Sequence, residues 1–104
     1  MRKLYRYTLL KTDGTEQDLG TRDHEMFLHY MQKAVGGPLE LIPPAYYSHQ
    51  KWGQCTVYGD EEGRFKSKPD NLHFHMFPNG QFMPPVVGDC LRVARVPAEV
   101  ATPT

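Results

Sequence analysis

A chain of 104 residues is long enough for one buried core and too short for two. Twelve Lys/Arg balance twelve Asp/Glu. That neutrality removes the counterion-release drive for non-specific duplex binding, so a nucleic-acid partner is not expected. No apolar run approaches the ~18 residues of a membrane span. Apolar residues make up 39%, and six Tyr, five Phe and one Trp carry much of that content, so the core is expected to be small and aromatic.

Residues 3–11 alternate as a strand, with Tyr5, Tyr7 and Leu9 on one face and Leu4, Arg6, Thr8 and Leu10 on the other. Met1 runs into this strand without an apolar leader region, which predicts a cytoplasmic protein with reduced thiols. Asp13-Gly14 suits a hairpin turn, so residues 15–20 read as a short polar return strand at an edge. An amphipathic helix follows. Thr21 is its expected cap, and Asp23 and Glu25 lie in the first turn, where the macrodipole favours negative charge. Phe27, Tyr30, Met31, Ala34 and Val35 form the predicted buried face, with His24, His29, Gln32 and Lys33 opposite. Gly36-Gly37 ends the helix and Pro38 prevents its continuation.

Residues 39–42 form a short strand stopped by Pro43-Pro44. Residues 45–53 read as an aromatic loop and 54–58 as another strand. Asp60-Glu61-Glu62-Gly63 reads as a solvated turn, and residues 66–71 as a polar connection. Leu72 to Phe77 alternate as a strand that places Leu72, Phe74 and Met76 on the core face. The last strand runs from Cys90 to Val96. Strands and helix do not alternate regularly. The expected fold is therefore α+β, one amphipathic helix packed on a curved, mainly antiparallel sheet of about five strands. A single domain spans 1–96, and 97–104 are expected to be a flexible tail.

Three groups could carry function. Tyr46, Tyr47, His49, Lys51 and Trp52 combine rings and cations of the kind that anchor a partner or stack on a base. Tyr46, Tyr47 and Trp52 have a competing use, as cover for one open end of the core, and a core this small needs its aromatics. His73 and His75 would share one face of a strand and could bind a transition metal through neutral imidazoles. The spacing is similar to the His-x-His of cupin barrels, but the acidic ligand expected a few residues later is absent. Cys55 and Cys90 have no metal-type spacing and read as small core residues. Gly36-Gly37 follows its helix, whereas a phosphate cradle precedes one.

Four motifs occur in order: Val35-Gly36-Gly37, Glu61-Glu62-Gly63, Lys68-Pro69-Asp70-Asn71 and Gly88-Asp89. In this pattern, over about residues 21–95, the chain resembles a family of small phage- and plasmid-borne proteins of unknown function. It departs from that family at Gly59-Asp60, where Asn is usual, and in the longer aromatic loop at 43–53. The resemblance implies an accessory protein in a bacterial cytoplasm and implies no catalytic residues. With no coherent catalytic set, the expected function is a small non-enzymatic binding protein acting on a host protein or a small ligand, as a possible homo-oligomer. The alternatives are a small-nucleotide binder, with Arg64 or Lys66 meeting phosphate, and a metal-dependent enzyme using His73 and His75.

Overall fold

The Asp13-Gly14 turn sets the first pairing. Asp13 accepts hydrogen bonds on Oδ1 from the Thr15 amide at 2.9 Å and from the Thr15 hydroxyl at 2.6 Å. The computed structural model of the chain describes residues 4–22, 28–47, 52–74 and 85–96. Strand β1 (Leu4–Leu10) pairs with β2 (Glu16–Arg22) across this turn. A bulge beside Tyr7 and Thr8 shifts the register, and there the Gly20 amide donates to Asp18 Oδ1 at 2.8 Å. The return strand runs longer than expected, so Thr21 is paired with Arg6 and does not cap the helix. Asp23, His24, Glu25 and Phe27 lie outside the described residues.

Helix α1 (Leu28–Val35) is followed by β3 (Leu39–Leu41), a 3-10 turn (Pro44–Tyr46), β4 (Cys55–Asp60) and β5 (Cys90–Val96). The sheet order is β2-β1-β5-β4-β3, and every adjacent pair is antiparallel. The last of the described strands thus occupies the centre. One helix packs on an open five-stranded sheet, as the sequence predicts.

Alternation along the strands sends side chains to two faces. On the helix face Tyr7, Leu91, Met31 and Val35 form one core, with Leu39, Tyr58 and Val93 packed around it. The opposite face holds Leu10, Ile42, Val57, Phe74, Val86 and Cys90. The helix uses a narrower stripe than its periodicity predicts: Met31 and Val35 are buried, while Tyr30 is 54% exposed. Only residues four apart stand directly over the sheet, and Tyr30 lies about 100° round the helix from Met31.

The helix end is held by charge. Gly36 takes φ +86°, and the amides of Gly36 and Gly37 both donate to Gln32 O, at 2.8 and 3.0 Å. The next carbonyls are capped by lysines: Lys68 Nζ donates to Val35 O at 2.8 Å and Lys66 Nζ to Gly36 O at 2.9 Å. Both ammonium groups also meet Asp60 Oδ2, at 2.8 and 2.9 Å, and the Glu62 amide donates to Asp60 Oδ1 at 2.8 Å. Gly37 must be glycine here, because a Cβ would run into the Asp60 carboxylate and lie 2.7 Å from Lys66 Nζ. The acidic run is therefore not simply a solvated turn. Asp60, at its head, is buried at 4% exposure.

The expected strand at 72–77 is not formed over its described part. Asn71 is buried and donates through Nδ2 to Leu10 O and Gly88 O, both at 2.8 Å. Its Oδ1 accepts the His73 amide at 2.9 Å, which bends the chain into a turn. Phe74 is buried, but Leu72 is 62% exposed and not on a core face. Residues 75–77 lie outside the described residues, as does the expected tail at 97–104. Within the described residues no helix is long and apolar enough to cross a membrane.

Burial opposes ionisation of Asp60, but Lys68 and Lys66 outweigh it and hold the carboxyl at about 2, against an ordinary 3.8. A lowered carboxyl stabilises the fold in full above its unfolded value, and that contribution is lost as pH falls from 3.8 through about 2. It amounts to about 2 kcal/mol. Asp60→Asn is expected to cost about 2–4 kcal/mol in urea unfolding at pH 7, since both lysines lose their buried partner but still reach water. The gap between wild type and variant should close as the pH is taken down to about 2. A gap independent of pH would mean that charge is not what Asp60 contributes.

Candidate functional site

Tyr46 ends the 3-10 turn, and Tyr47 and Trp52 follow on the face opposite the helix. All three are half-buried against the core around Leu10, Val57 and Cys90. Tyr47 and Trp52 stack with centroids 5.4 Å apart, and Trp52 meets Phe74 edge-on at 5.9 Å. The Arg92 guanidinium sits 5.0 Å from the Trp52 ring centroid and reaches Glu16 Oε1 at 3.3 Å. The structure thus brings Tyr46, Tyr47 and Trp52 together and adds Phe74, Arg92 and Glu16, which no local pattern connected to them. His49 and Lys51 lie outside the described residues.

His73 sits in the turn after Asn71. Its Nε2 lies 2.9 Å from Thr15 O, the geometry of an imidazole N–H donating to a carbonyl. His75 lies outside the described residues. Among the described residues no three His, Cys, Asp or Glu side chains come together as a metal cluster.

Four described groups that could act as nucleophile or base have defined surroundings: Cys90, Cys55, Asp89 and Asp60. Cys90 is fully buried, and burial, with Asp89 adding to it, pushes its thiol up to about 12. Burial also raises Cys55. Asp89 Oδ1 accepts the Thr12 amide at 3.0 Å. Asp60 is enclosed by its lysines.

A different feature opens on the helix side. There, beside α1, a cleft of about 400 Å³ lies over β1, β5 and β4. Buried Tyr7 and Met31 form its deep part. Tyr5, Thr56, Tyr58 and Val93 are half-buried around it, and Gln54 and Arg95 stand at its exposed rim. The strand register places these groups: Tyr5 is opposite Arg95, and both Tyr7 and Thr56 are opposite Val93. The shared face of Tyr5 and Tyr7 is legible in the alternation of the first strand. Their meeting with Val93, Arg95 and Thr56 is not, because it needs the pairing of three strands distant in sequence.

These features define an α+β protein whose helix covers one side of an open antiparallel sheet and leaves an aromatic cleft beside it. The chain belongs to the family described as a domain of unknown function, DUF3846, whose pattern matches residues 8–102. No curated protein and no solved structure matches it.

The cysteine environments yield a direct test. Raising the Cys90 thiol from 9.0 to about 12 cuts its thiolate fraction at pH 8 about a thousandfold. A disulfide reagent at pH 8 should therefore leave Cys90 unmodified in the native protein and titrate both thiols in urea. Prompt native labelling of Cys90, mapped by peptide mass, would mean that the site opens to solvent.

Proposed function

We propose that this is a small non-enzymatic binding protein that holds a small ligand in the cleft beside α1. The proposal includes the context implied by the motif resemblance, a cytoplasmic accessory of a phage or plasmid. The observation that carries the reading is the cleft itself. Its volume of about 400 Å³ falls in the range of small-molecule sites. Its lining is also of the right kind, rings and a thioether with a few polar groups at the rim.

Two further points favour binding over catalysis. Among the described residues, Asp60 and Cys90 are the groups held well away from their ordinary titration. Neither serves the cleft: Asp60 holds the helix end and Cys90 fills the opposite core. The cleft also stands on sheet backbone, whose hydrogen-bonded ladder keeps a binding surface preorganised.

Native mass spectrometry of protein from a bacterial cytosol tests the reading, together with a small-molecule fragment screen followed by amide NMR shifts. A retained mass of a few hundred daltons is expected, or fragment shifts centred on Tyr5, Thr56 and Val93. Thr56→Phe, which fills the cleft from a half-buried position, should remove either signal and leave the fold intact. An apo mass together with fragments that shift only residues around Tyr47 and Trp52 would move the site to the other face and overturn the reading.

A further inference from the structure

The chemistry of the cleft is lopsided, and that narrows its ligand. Arg95 is the one formal charge among the described lining residues. It is exposed, and no described carboxylate lies within ion-pair distance of it. Arg92, three residues earlier and so on the other face, shows the contrast: it is partnered by Glu16 and Trp52. Cys55 brings no competing negative charge, because burial keeps its thiol protonated. The remaining lining is dominated by Tyr5, Tyr7, Tyr58 and Met31, whose ring faces and polarizable sulfur favour a flat aromatic group.

The spacing adds a length. Val93 and Arg95 lie on one face of β5, two residues apart, or about 7 Å along the strand. A ring seated over Val93, between Tyr7 and Thr56, would need its anionic group at that reach to meet the guanidinium. Thr56 and Gln54 offer hydroxyl and amide groups to ring substituents.

From this we infer that the cleft selects a planar aromatic ring carrying an anionic group, with the ring among the tyrosines and the anion on Arg95. This inference rests on the cleft being a ligand site. A phosphate and a carboxylate share the chemistry. A guanidinium fork binds either in bidentate geometry.

The test is calorimetric titration and amide NMR with three sets of probes. The first is the four nucleoside 5′-monophosphates, each beside its parent nucleoside. The second is indole-3-acetate and 4-hydroxyphenylacetate. The third is their uncharged or cationic counterparts, indole and tyramine. At least one anionic probe is expected to bind ten-fold or more tightly than its neutral counterpart, with shifts at Tyr5, Thr56, Val93 and Arg95. Arg95→Gln, an exposed change that should leave the amide spectrum otherwise intact, is expected to abolish that preference and leave binding of the neutral ring unchanged. Response to the phosphates or to the carboxylates separates the two sources of the anion. Neutral or cationic rings binding as well as the anions, or an anion preference that survives Arg95→Gln, would overturn the inference. Shifts at Tyr5, Thr56 and Val93 would still mark the cleft as a site in that case. No shift there with any probe would overturn the inference too, and would remove the support for the cleft as a small-ligand site.

Discussion

One buried carboxylate joins the parts of this molecule. Asp60 ends β4 with its side chain out of water, and Lys66 and Lys68 close on it from the following turn. The same two ammonium groups cap the last carbonyls of α1, so a single cluster ties helix, strand and turn together. Taking a carboxylate out of water is costly, and only several charged donors with good geometry offset that cost. Here the offset comes from two lysines and a backbone amide. The lysines keep part of their surface in water, so the cluster avoids the full desolvation of both partners.

Motifs far apart in the sequence meet at the same joint. Lys68 passes so close to Gly88 that a Cβ there would come within 2.7 Å of its Cδ. Gly88 N donates to Pro69 O at 2.8 Å, and Asn71 bridges Gly88 O to Leu10 O. Asp89 then fixes the start of the β1–β2 turn through Thr12. Residues that read singly as turn formers are therefore the frame of the fold. They locate the central strand, β5, between β1 and β4.

The cleft is built by strand pairing beside the helix. Tyr5 and Arg95 face each other across β1 and β5, Thr56 of β4 stands opposite Val93, and Met31 of α1 lines the deep part. On the opposite face Tyr47, Trp52 and Phe74 pack ring on ring, so the described rings of the aromatic loop rest partly buried against a core.

Local pattern reading succeeded where one element carries its own signal. The alternation of Tyr5, Tyr7 and Leu9, the Asp13-Gly14 turn, the Met31–Val35 stripe and the Gly36-Gly37 helix end depend on neighbours within a few residues. It failed where a side chain took a distant partner. Thr21 went to a strand because β2 continues pairing with Arg6. Leu72 turned outward because Asn71 bonds to Leu10 and Gly88. Asp60 was buried because two lysines six and eight residues on fold back over it.

By itself, the sequence determined the α+β class, one helix with a glycine end, and strands with two usable faces, since period and turn chemistry are local properties. Only the tertiary structure decided the strand order, the burial of Asp60 and the cleft between Tyr5, Thr56 and Arg95. The strand order and the cleft arise from pairing between segments tens of residues apart, and the lysines over Asp60 are held by carbonyls at the distant end of α1, so no local pattern encodes them.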